Sequence, residues 1–139
     1  MGAESNEIKY IPEGQLKDFP EAIATSTLKI ILEQSEKCIC KIKSIPSGTG
    51  FLCLIPFPDK CNQLPVLITC YHVIDKYNLL KRKITLILND KIIEIKLKKY
   101  RKVYISKKYD VTIIGIKKED GLDINSFLEL DELILKKNY

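Results

Sequence analysis

His72 is the only imidazole among 139 residues, and it stands just after the apolar run Leu67-Ile68-Thr69-Cys70-Tyr71. Downstream, Asp110 opens a second such run, Val111-Thr112-Ile113-Ile114-Gly115-Ile116. A histidine ionises near neutral pH, so it can take a proton from a poor nucleophile and return it to a leaving group. A serine hydroxyl needs such a base within hydrogen-bond reach. A carboxylate on the other ring nitrogen fixes the tautomer and stabilises the imidazolium. Taken singly, neither residue is evidence of catalysis: a lone histidine after a β-rich run is an ordinary packed side chain, and an aspartate at a strand start an ordinary turn residue.

Other reactive groups carry less. The five cysteines, Cys38, Cys40, Cys53, Cys61 and Cys70, are odd in number and include no C-x-x-C pair. One histidine is too few for the usual zinc spacings, so neither a metal nor a cofactor is expected. Cys38 and Cys40 fall on one face of an alternating segment and read as small buried hydrophobes. The net charge of +5 resides in Lys81-Arg82-Lys83, Lys98-Lys99-Tyr100-Arg101-Lys102, Lys107-Lys108 and Lys117-Lys118. Acidic residues are interspersed and no aromatic stacking platform accompanies them, so these clusters read as solvated strand ends rather than a nucleic-acid surface. No apolar run reaches the roughly 20 residues of a membrane span, and the start lacks a basic stretch followed by an apolar one. With reduced thiols, this leads to the expectation of an intracellular, cytoplasmic protein.

The elements that must position His72 and Asp110 follow from periodicity. Residues 1–19 are polar, broken by Pro12 and Gly14, and read as a flexible leader. Over 20–36 a helix is expected, with Pro20 in its first turn and Ile23, Leu28, Ile31 and Leu32 on one face. From 37 to 120 the period is two. Segments at 38–43, 50–55, 66–71, 84–88, 93–97, 103–105 and 111–116 read as short strands, with Asn89-Asp90 as a tight turn. The prolines of Pro56–Pro65 place a hairpin loop there that continues neither strand. The fold class is therefore mainly β, an antiparallel six- to seven-stranded barrel with an N-terminal helix. Residues 121–139 form an amphipathic exit segment, a short helix or a linker over Ile124 to Leu135.

Three motifs in order add a resemblance. Thr69-Cys70-Tyr71-His72-Val73 matches T-x-x-H-[VC], Asp110-Val111-Thr112-Ile113-Ile114 matches D-[VIL]-[AT]-[VIL]-[VIL], and Ser47-Gly48-Thr49-Gly50-Phe51 matches S-G-x-G-F. Residues 37–117 thus resemble the first barrel of trypsin-like (chymotrypsin-fold) serine proteases, the last motif being that of the HtrA-like branch. The resemblance implies that His72 is the general acid/base and Asp110 its orienting partner. It also implies a second barrel carrying the nucleophile, in G-[DN]-S-G-[GS], and the oxyanion-hole amides. No such segment occurs in these residues: Ser126 is flanked by Asn125 and Phe127, Ser47 lies upstream of His72 with Ile45 two residues before it, and no cysteine follows Cys70.

Two function classes follow. One is the N-terminal half of a trypsin-like endopeptidase, its partners a second barrel and a peptide or protein substrate. The other is an inactive protease-derived barrel serving as a protein-binding or regulatory module. An unrelated basic barrel that binds nucleic acid is the third and weakest alternative. No membrane partner is expected.

Overall fold

A computed structural model of the chain describes residues 24–98 and 100–131. The expected leader, Pro20 and the tail from residue 132 lie outside the described residues. The chain divides into two compact units, Met1–Ile30 and Ile31–Tyr139, and the described part of the first is the start of one helix, α1 (Thr25–Cys38). That helix runs two residues past its expected end. Cys38 closes it as a buried residue and donates its thiol to the Ser126 carbonyl at 2.8 Å.

The second unit is mainly β, an antiparallel seven-stranded sheet curled into a half-barrel. Its strands are β1 (Ile39–Ile42), β2 (Gly48–Pro56), β3 (Gln63–Thr69), β4 (Lys83–Leu88), β5 (Lys91–Lys96), β6 (Val103–Ser106) and β7 (Val111–Gly115). A two-residue strand, β8 (Leu128–Glu129), pairs parallel with β2. The order across the sheet is β5-β4-β1-β2-β3-β7-β6. A short helix, α2 (Lys76–Leu80), follows the His72 segment. Among the described residues no helix is long and apolar enough to cross a membrane.

The hairpin at 56–65 is tighter than the prolines suggest. Pro56 pairs with Gln63 and Pro65 with Leu54, so the connection shrinks to residues 57–62. Proline lacks only the donor, and the Pro65 carbonyl is used, accepting from Ile116 N at 2.8 Å. Asn89 and Asp90, both at positive φ, make the expected two-residue turn between β4 and β5.

One cluster of buried residues forms the core. Cys40, Ile42, Leu52, Leu67, Leu86, Ile95 and Ile114 are almost wholly buried there, with Leu122 and Phe127 from the exit segment among the cluster. Alternation in β1 puts Cys40 and Ile42 inside and Ile39 and Lys41 outside. Burial pushes the Cys40 thiol up to about 11, because a thiolate in the core would lose its hydration.

The two ends of the strand order, β5 and β6, are consecutive in the chain, so their connection, described at residues 97–98 and 100–102, bridges the lips of the curled sheet. Arg101 anchors this bridge. Its guanidinium donates to Asp120 Oδ2 and Oδ1 at 2.6 and 2.9 Å, to the Gly115 carbonyl at 2.9 Å and to the Lys96 carbonyl at 2.7 Å. Both side chains are about 95% buried. Asp120 Oδ2 also accepts from Lys117 N at 2.7 Å. Arg101 therefore departs from the solvated basic cluster in which the sequence places it: it is an internal clamp whose carbonyl and carboxylate acceptors replace water. One donor, Nε, is buried without a partner among the described residues.

Removing one half of such a buried pair strands the other charge, so Asp120→Ala should destabilise by about 3–5 kcal/mol in urea unfolding. Replacing Arg101 and Asp120 together by apolar residues should cost clearly less. Alkaline behaviour should report the core thiol. A raised folded-state value means that the neutral Cys40 contributes stability in full below its ordinary 9.0, and that this is lost as pH climbs through about 11. The thermal midpoint should fall across that window, and fall less steeply in Cys40→Ala.

Candidate functional site

The site is set by one strand register. β3 and β7 run antiparallel with Thr69 opposite Thr112. His72 lies three residues past Thr69 and Asp110 two residues before Thr112, so both leave the sheet at the same end and on neighbouring strands.

The chain leaves β3 through a tight turn in which Val73 N and Ile74 N both donate to the Cys70 carbonyl, at 3.0 and 3.2 Å. Val73 and Ile74 then plunge into the core, leaving His72 outward. Asp75 caps α2, accepting from Tyr77 N and Asn78 N at 2.9 Å each, while Asn78 Oδ1 accepts from Asp75 N at 3.0 Å. This capping box fixes where the segment re-enters regular structure. His72 is thus held between a buried threonine and two buried aliphatic residues.

Asp110 reaches the same place from a left-handed turn. Its φ is +53°, a conformation that aspartate tolerates better than most side chains. The turn is tied by Asp110 N donating to the Lys107 carbonyl at 3.3 Å and Tyr109 N donating to Ser106 Oγ at 3.1 Å.

The structure brings the two predicted residues together. His72 Nδ1 lies 2.7 Å from Asp110 Oδ2, and the His72 backbone N–H donates to Asp110 Oδ1 at 2.9 Å. A carboxylate only accepts, so Nδ1 is the donor in this contact, which in the neutral ring leaves the lone pair on Nε2. Both carboxylate oxygens bond to His72, one to the ring and one to the backbone N–H, which positions the ring. The backbone N–H of His72, and after it the ring, hold the Asp110 carboxyl below the usual carboxylate range. The pair is open: the side chains are 63% and 48% exposed.

Four supporting residues lacked a role in the sequence reading. Thr69 Oγ1 donates to the Thr49 carbonyl at 2.9 Å, tying the end of β3 to β2. Thr112, fully buried, donates Oγ1 to the Ile74 carbonyl at 2.6 Å and so ties the His72 turn to β7. Gly48 lies against Val73: a Cβ there would fall inside that side chain, 2.8 Å from Cγ1. A Cβ at Gly50 would meet Ile42 Cδ1 and Leu67 Cδ1 at 2.9 Å. The glycine spacing of Ser47–Phe51 thus has a packing reason, and the motif itself was the available signal. Ser47 and Ser126 do not join the site: Ser126 Oγ donates to Asp123 Oδ2 at 2.6 Å, and Ser47 lines a separate shallow pocket with Ile39, Lys41 and Thr49. Cys70, by contrast, has its thiol within 4.8 Å of the ligand atoms of His72 and Asp110.

No protein-family model matches the chain, and no curated protein or solved structure matches it either.

Gly48→Ala tests the support from beneath. The overpacked Val73 must shift, at a cost of about 1–3 kcal/mol. His72, one residue earlier, should move with it, so the imidazole NMR signals should shift in this variant and stay unchanged in Thr85→Ala, on the β4–β5 hairpin.

Proposed function

We propose that the curled sheet is the first barrel of a trypsin-like serine endopeptidase, contributing His72 as general acid/base and Asp110 as its orienting carboxylate. The observation that carries this reading is the two-point contact of Asp110 with one residue, ring Nδ1 on one oxygen and backbone N–H on the other. A structural ion pair needs neither the Nδ1 tautomer nor an unobstructed ring face. A base that must accept a serine proton on Nε2 needs both.

On this reading the nucleophile and the oxyanion donors come from a second barrel that closes over the exposed lip. In the reaction, Nε2 takes the proton of the serine hydroxyl as its oxygen attacks the peptide carbonyl. Asp110 then stabilises the imidazolium, which returns the proton to the leaving amine. All three motifs have physical roles that fit this arrangement: Thr69 and Thr112 fix the two strand ends from which the pair departs, and Gly48 leaves room for Val73 beside His72.

The test is active-site labelling of the native assembly recovered with a tagged chain. A fluorophosphonate should label a serine outside these 139 residues, and His72→Ala should abolish that labelling with assembly intact. Asp110→Asn leaves the shape but removes the tautomer control, so turnover should drop by about 10⁴-fold. Labelling that persists in His72→Ala overturns the assignment. A native assembly that contains no labelled serine at all points instead to the binding-module reading.

A further inference from the structure

The side chains at the lip include a third ligand type that the triad chemistry does not use. Cys70 carries a free, exposed thiol, and its sulfur, an imidazole nitrogen of His72 and a carboxylate oxygen of Asp110 all lie within 4.8 Å of one another. Nothing in the sequence spacing announces this, because Cys70 and His72 are two residues apart and Asp110 arrives only through the β3–β7 register. We propose that these three side chains form a binding site for a thiophilic divalent cation, Zn²⁺, and that occupancy switches the imidazole off as a base.

Thiolate, imidazole and carboxylate are the three ligand classes of Zn²⁺, bound at about 2.0–2.3 Å, and three protein ligands with one open position make a tetrahedral site. Ligand atoms around such an ion are about 3–4 Å apart by that geometry. The observed cluster therefore needs only side-chain rotation at an exposed edge, with the backbone of the turn unchanged. The proton balance is simple. The thiol releases one proton to solvent on binding, and the carboxylate releases none. If Nδ1 binds, the ring proton moves to Nε2; if Nε2 binds, its lone pair is occupied. Either way the nitrogen that would accept a serine proton is no longer basic.

Metal binding by this chain stands on the geometry alone, whereas its consequence for hydrolysis rests on the proposed protease role of His72. The experiment separates the two by measuring binding to the reduced full chain, without substrate. Zn²⁺ is titrated against a chromophoric chelator, and Co²⁺ is added separately to follow the thiolate-to-metal absorption in the near ultraviolet. The expected result is one equivalent bound per chain and a Co²⁺–thiolate band. Cys70→Ser should abolish the band, and both Cys70→Ser and His72→Gln should weaken Zn²⁺ binding by about tenfold or more. Cys61→Ser, which removes the other exposed thiol, should change neither. Failure of the chain to compete with the chelator, a band retained in Cys70→Ser, or a loss confined to Cys61→Ser overturns the proposal. None of these outcomes bears on whether His72 serves a serine in a complete enzyme.

Discussion

Antiparallel pairing of β3 with β7, with Thr69 facing Thr112, is the constraint on which the chemistry of this molecule depends. The same register sets Leu67 against Ile114, and both are fully buried. Because side chains alternate along a strand, a slip of one residue would turn Leu67 or Ile114 to the opposite face, out of the core cluster. Each such side chain is worth about 1.5–3 kcal/mol of burial. The apolar core therefore enforces the register, and the register in turn delivers an imidazole and a carboxylate to one lip of the sheet. The polar pair needs no strong attraction of its own to meet.

That distinction matters because the pair is exposed. Ion pairs in water contribute little, being screened and entropically costly to hold. Here the ordering comes from elsewhere. Val73 is wedged over Gly48, Thr112 holds the Ile74 carbonyl, and the Asp75 cap secures the following turn. Asp110 is aimed by a left-handed turn whose own hydrogen bonds are local. A ring held by one carboxylate oxygen, with the other oxygen on the backbone N–H of the same residue, is preorganised without being buried. The Arg101–Asp120 clamp works at a different level, tying the bridge between β5 and β6 to the end of β7.

Much of the fold was legible because it rests on local signals. Alternation in 38–43, 84–88 and 93–97, and the Asn89-Asp90 turn, follow from the two-residue period and from positive-φ chemistry. The meeting of His72 and Asp110 was legible only through a motif resemblance, since strand pairing across that distance leaves no periodic trace. What stayed hidden was hidden for physical reasons. Arg101 sits in a run of lysines, and only tertiary structure tells it, with its buried carboxylate partner, from the exposed Lys98 and Lys102. Pro65 reads as a strand breaker, yet it occupies a ladder position where only its carbonyl is needed. The role of Gly48 depends on Val73, far along the chain, and Cys70 gains its neighbours by the same register that makes the pair.

The openness of the lip bears on what a covering surface would have to do. A carboxylate half in water stabilises an imidazolium weakly, because the interaction scales inversely with the local dielectric. On the proposed reading, a second barrel docking over His72 and Asp110 therefore contributes more than a serine and oxyanion donors: by excluding water it strengthens an interaction already in place. The same exposure admits a metal ion to Cys70, His72 and Asp110. A covering barrel and a bound cation would then compete for one face, the first raising the worth of the imidazole as a base and the second abolishing it. A carboxylate that holds the ring through one oxygen and the backbone N–H of the same residue through the other is the element on which that competition turns.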